Sequence, residues 1–238
     1  MLKRPLALSA FALLLFRVAS AQEPAILPAL GYEDTYQINA IGNLQAGDSY
    51  VNIVNAGFHM TNPGSHGYVC ANVYVFDQAE EMISCCVCPV SRNGLKTLSA
   101  RSDLISNTLT PGVPPAIVVK LVFTTPPLPG GENDPSSCNP SNLTLLFPPG
   151  GLGGNGSPGY PYVPGAYATG NRAWATNLHA APTTPVSWLM TETRFEEVPL
   201  QENERALLAT YCAFIQSNGS GFGICKSCKA GYQGATSK

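Results

Sequence analysis

Charge is what this chain has least of. Asp, Glu, Lys and Arg make up 12% of its 238 residues, about half of what a soluble domain usually carries. The thirteen basic residues form no patch or stripe, which excludes the electrostatic footprint of a nucleic-acid binder. Histidine is limited to His59, His66 and His179, read as loop residues. Glu192 and Glu196 are the carboxylates best placed to act together, but four residues along a strand separate them by about 13 Å, wider than a glycosidase pair. No G-x-S-x-G, H-E-x-x-H, phosphate-binding loop or EF-hand loop occurs, so no catalytic residue is nominated. Long apolar runs are also missing. The stretch Leu6 to Phe16 falls well short of the roughly 20 residues of a bilayer-spanning helix.

That short run has a different reading. Lys3 and Arg4 precede it and Ala19-Ser20-Ala21 follows it, the layout of a secretory signal peptide over residues 1–21 with cleavage before Gln22. Removing 21 of 238 residues leaves 217, and the loss of Lys3, Arg4 and Arg17 leaves ten basic against fifteen acidic residues, a charge of −5. The expectation is a secreted or extracytoplasmic protein with no membrane span after cleavage.

What is abundant is glycine, proline and, for an exported chain, cysteine. There are 23 Gly, 21 Pro and eight Cys. Export permits disulfides, and all eight cysteines (Cys70, Cys85, Cys86, Cys88, Cys138, Cys212, Cys225, Cys228) are disulfide candidates. Five of them sit in two clusters, Cys85-Cys86-Val87-Cys88 and Cys225-Lys226-Ser227-Cys228. Cys86, Cys88, Cys225 and Cys228 form the alternative, a four-thiolate zinc site. A thioredoxin-like use of the C-x-x-C is disfavoured, because it follows a helix instead of opening one.

Residues 22–47 read as an irregular lead-in with one short strand near Thr35 to Ile41. Ser49 to Asn55 alternates apolar and polar residues, as a half-buried strand does. Tyr68–Phe76 and Met82–Val90 flank the polar turn Asp77–Glu81 and read as a hairpin. With Val75 placed opposite Ile83, Cys70 falls opposite Cys88, and a Cys70–Cys88 bond is expected. In that register Cys85 faces the core, buried and reduced or paired to a second sheet. Leu95–Leu98, the apolar run Ala116–Phe123, Arg172–Leu178 and Val186–Phe195 complete the strands, with Ser102–Asn107 a helical turn or loop. Asn142–Phe147 is a further strand candidate inside the Gly/Pro-rich insert 126–170. The insert is expected to be the most protease-sensitive region, and Tyr160, Tyr162 and Tyr167 are its best binding anchors. A helix over 200–217 carries Leu207, Leu208, Tyr211, Cys212 and Ile215 on one apolar face, and Cys212 is expected to bond Cys225 or Cys228. Asn142, Asn155 and Asn218 head N-x-S/T matches.

The fold expected is mainly β: an antiparallel β-sandwich over 48–238 with one C-terminal helix and a long insert. The role expected is a non-catalytic surface or matrix module binding glycan or protein, without cofactor. The alternatives are a thiol- or zinc-dependent protein and a secreted hydrolase.

Four segments, Asp48–Asn55, Cys70–Asp77, Cys85–Cys88 and Gly221–Cys228, together resemble an uncharacterised family of exported proteins from environmental bacteria. The resemblance covers most of 48–124 and 171–230. It implies a bacterial, extracytoplasmic setting and no particular activity, ligand or site.

Overall fold

A computed structural model of the chain describes residues 33–57, 68–107, 110–124, 138–141, 143, 167–180, 188–219 and 223–228. All of these belong to one compact unit, Gly31–Lys238. Residues 1–21, read above as a signal peptide, together with Tyr160, Tyr162, His59, His66 and nearly all of the insert, lie outside the described residues.

The described residues form nine strands: β1 (Tyr36–Ile41), β2 (Tyr50–Asn55), β3 (Val69–Phe76), β4 (Met82–Val90), β5 (Leu95–Ser99), β6 (Ile117–Thr124), β7 (Asn171–Ala180), β8 (Trp188–Arg194) and β9 (Glu196–Glu197), with one α-helix, α1 (Glu202–Ser217). They build two antiparallel sheets, β4-β3-β6-β1-β9 and β5-β2-β7-β8. The protein is thus mainly β, a two-sheet sandwich with a single long helix. The lead-in does more than expected, because β1 pairs along its whole length with β6 and also with β9. The sandwich therefore begins before residue 48.

Alternation decides what lies between the sheets. Val51, Ile53, Leu98, Ala173 and Ala175 face inward from the four-stranded sheet, and Ala71, Val73, Val75, Val119 and Leu121 face them from the other. The second face of the five-stranded sheet is also covered. Tyr36, Tyr74, Cys85 and Val122 lie beneath Leu143 and the helical residues Leu208, Cys212 and Ile215. This is why β3 is buried on both sides.

The β3–β4 hairpin departs from the expected register, and the departure has a local cause. Asp77 Oδ1 accepts from the backbone N–H of Ala79 and Glu81 at 2.9 and 3.0 Å, which shapes the turn. Phe76 then pairs with Met82 as the simple hairpin requires, but Val75 pairs with Ser84. Ile83 is the extra residue of a β-bulge. One inserted residue exchanges the faces of everything beyond it. Cys70 therefore lies opposite Pro89 and Cys88 opposite Ala71, so the expected Cys70–Cys88 bond is not formed. Cys86 and Cys88 point into the sandwich, and Cys85 points out toward the helix.

Both lateral openings of the sandwich are closed. On one side the chain runs from β8 in one sheet, through buried Phe195, into β9 in the other. Gln37 Nε2 donates to Asn171 O (3.0 Å) and Asn39 Nδ2 to Thr193 O (3.0 Å), linking the sheets there. On the other side a C-terminal segment lies along β4. Val87 N donates to Gly223 O at 3.1 Å and Cys225 N to Val87 O at 3.0 Å, making a parallel bridge between Val87 and Ile224. A helical turn at Ala100–Leu104, capped by the Ser99 hydroxyl, lies beside it.

Candidate functional site

The eight cysteines form four disulfides: Cys70–Cys138, Cys85–Cys212, Cys86–Cys225 and Cys88–Cys228. Their Cα separations, 5.0 to 5.7 Å, lie within the usual range. The pairing of Cys212 with Cys225 or Cys228 is replaced by Cys85–Cys212. The reason is the bulge, which turns Cys85 onto the face where α1 packs, while Cys86 and Cys88, two apart on the other face, meet Cys225 and Cys228. The four sulfurs of the zinc alternative are thus brought together, but within two disulfide bonds. Asp103, 4% exposed, accepts from Ser99 N and Ser227 N, both at 2.8 Å, and so anchors the tail turn Lys226–Cys228.

Cys70–Cys138 holds the segment Cys138–Ser141 over the five-stranded sheet. The Tyr74 hydroxyl donates to Pro140 O at 2.7 Å. Complete burial, with a smaller contribution from Tyr167, raises the Tyr74 pKa well above 10. Tyr36 is shifted the same way, by burial first and by Glu204 second. Its hydroxyl donates to Glu204 Oε1 at 3.2 Å, and Lys120 pairs with the same carboxylate. Tyr167 is no free anchor: it is half-buried, bridged to Thr124 and packed under the helix.

The outward side of α1 is less buried than its periodicity implied. Leu207 and Tyr211, placed on the apolar face by spacing, are 45% and 46% exposed, and Phe214 is 65% exposed. Among the described side chains of the helix, Leu208, Cys212 and Ile215 make the buried stripe.

The outer face of the four-stranded sheet carries two rows of polar and aromatic side chains. Cross-strand register places Thr97, Asn52, Trp174 and Arg194 in one row and Ser99, Tyr50, Thr176 and Glu192 in the next. A directed hydrogen-bond chain crosses all four strands. Thr97 Oγ1 donates to Asn52 Oδ1 (2.8 Å), Asn52 Nδ2 donates to Thr176 Oγ1 (3.0 Å), and Thr176 Oγ1 donates toward Glu192 Oε1 (3.5 Å). Such a chain fixes the rotamers of its members and polarises each bond. Tyr50, 37% exposed, and half-buried Trp174 flank it. Every described side chain of β8 from Leu189 to Arg194 is exposed, so the face is open at that edge. Charges gather there and are paired: Arg194 with Glu197, and Arg172 with Asp34 and Glu197. Glu192 lies in this sheet and Glu196 in the other, so the bend at Phe195 separates the two carboxylates. His179 is held between Asn43 (2.8 Å) and Thr191 (2.7 Å).

None of Tyr50, Asn52, Thr97, Trp174 and Thr176 was nominated from the sequence. The one available signal was the alternation of 49–55, which sets Tyr50 and Asn52 on the polar face of their strand. Comparison with known proteins finds no matching family model, no matching curated protein and no matching solved structure.

Proposed function

We propose that this protein is a non-catalytic extracytoplasmic binding module, held rigid by its disulfides, whose recognition surface is the open face of the four-stranded sheet and whose ligand is a glycan. The observation that carries this reading is the hydrogen-bond chain Thr97–Asn52–Thr176–Glu192 flanked by Tyr50 and Trp174. Sugar rings combine C–H faces that stack on aromatic rings with hydroxyls that both donate and accept. The sheet face offers both kinds of partner in fixed positions. Four disulfides suit the oxidising compartment this role requires, and among the described residues no helix is long and apolar enough to cross a membrane.

A protein partner is the second reading, favoured by the exposed stripe Leu207, Tyr211 and Phe214 on a helix tethered to the sheet by Cys85–Cys212. Glycan-array binding by the exported protein and two variants separates the readings. Tyr50→Ala is expected to lose array binding while Phe214→Ser retains it. The opposite pattern, or no array signal from the parent protein, overturns the glycan reading. The zinc alternative requires opening Cys86–Cys225 and Cys88–Cys228, and metal analysis together with a free-thiol count on the purified protein tests it.

A further inference from the structure

We infer that the ligand of the four-stranded face is an uncharged, extended polysaccharide gripped along its chain rather than at an end. The inference rests on the reading of that face as the recognition site and names the class of glycan it takes.

The first argument is electrostatic. From β5 to β7 the two rows hold Ser99, Thr97, Tyr50, Asn52, Trp174 and Thr176, none of them charged, and only at β8 do they end in charged residues, Arg194 and Glu192. The cations in register on this face stand at the β7 and β8 margin and are engaged: Arg194 by Glu197, Arg172 by Asp34 and Glu197. Lys96, beside Thr97 on β5, is opposite the inward-facing Ile53 and belongs to the other face. Among the described residues of this face, a sugar carboxylate or sulfate laid on the rows meets no cation that lacks a carboxylate partner, and at β8 it meets the carboxylate of Glu192. Burying such an anion without a partner is unfavourable.

The second argument is shape. The rows run across the strands, from Thr97 and Ser99 on β5 to Arg194 and Glu192 on β8. Three strand spacings make a track of about 14 Å, room for several linked sugar rings. Thr97 is exposed at one end, and the described β8 side chains are exposed at the other. A ligand can therefore enter over one edge and leave over the other, as an internal stretch of polymer does. Recognition of a chain end needs a wall, and the described residues place none across the track.

The third argument concerns hydrogen bonding. Thr97 donates its proton to Asn52 and keeps acceptor lone pairs. At the far end Glu192 is an acceptor too. The face thus presents acceptors to ligand hydroxyls at both ends of the track, with Tyr50 between them.

The test is affinity electrophoresis of the full exported protein through gels containing neutral polymers (xylan, mannan, mixed-linkage β-glucan, dextran) or anionic ones (polygalacturonate, alginate, hyaluronan). Retardation by at least one neutral polymer is expected, insensitive to salt. Tyr50→Ala and Thr97→Val are each expected to weaken it about tenfold, and a hexasaccharide of the same linkage is expected to compete better than a disaccharide. Thr97→Val keeps the shape of the side chain, so it reports the hydroxyl and not the fold. Retardation by anionic polymers alone, or a disaccharide competing as well as the hexasaccharide, overturns this inference; if Tyr50→Ala still abolishes that binding, the recognition face itself stands. Neutral-polymer binding untouched by both variants overturns the choice of face and the inference with it, as does no binding to any polymer.

Discussion

Asp103 is the residue on which the tail turn depends. Its two carboxylate oxygens accept one backbone N–H from the strand end, Ser99, and one from the C-terminal turn, Ser227. Asp103→Ala leaves both donors without that acceptor in a buried setting. A loss of about 2–3 kcal/mol is expected, read as a lower denaturant midpoint with unchanged slope. Tyr36 and Tyr74 make a prediction with a pH sign. Both native pKa values are raised above 10, Tyr36 and Tyr74 alike chiefly by burial. Below pH 10 folded and unfolded chains alike keep the phenolic protons, and the contribution of the two residues is complete. Above pH 10 the unfolded chain releases protons that the folded chain retains, so stability falls as pH rises toward the native values. Thermal midpoints measured between pH 8 and roughly 11 are expected to drop less steeply for Tyr74→Phe than for the parent protein. Parallel curves would remove Tyr74 from this account.

At the scale of elements, α1 shows how a correct assignment can still misplace residues. Leu208→Ala is expected to cost about 2–5 kcal/mol, since Leu208, on the sheet-facing side of the helix, is 1% exposed. Phe214→Ser is expected to stay within about 0.5 kcal/mol. Equal losses in denaturant titrations would mean that the helix sits differently. Spacing put Leu207 and Tyr211 with Leu208 and Cys212 because it reports which residues share a side of a helix, not how far a neighbouring sheet reaches around it. Strands were legible for a similar reason: alternation at Tyr50–Asn55 and the bounded run Ile117–Thr124 are local properties. The bulge at Ile83 was not, because an inserted residue leaves the run Met82–Val90 looking like any other strand. The proposed recognition face was only half legible. Tyr50 and Asn52 alternate visibly, but Thr97, Trp174 and Thr176 join them through pairings of β2 with β5 and β7, which no local pattern encodes.

At the scale of the molecule, the described residues form a sandwich whose closure is partly covalent. Peptide mapping under non-reducing conditions is expected to return Cys70–Cys138, Cys85–Cys212, Cys86–Cys225 and Cys88–Cys228; a Cys70–Cys88 peptide would contradict the bulged register. Removing one staple as a pair, Cys85→Ala with Cys212→Ala, opens a link between residues 127 apart and is expected to cost about 2–5 kcal/mol, with α1 the first element to lose hydrogen-exchange protection.

Three of these bonds run from the single stretch Cys85–Cys88 to residues 212, 225 and 228. A chain made from its N-terminus outward therefore exposes three adjacent thiols long before their partners exist. Until the last segment arrives, any bond they make is provisional and must be undone by exchange. A copy cut short before Cys212 can never retire those thiols in the native way. Completeness is thereby written into the chemistry of the chain: an unfinished molecule stays chemically distinguishable from a finished one by its free thiols.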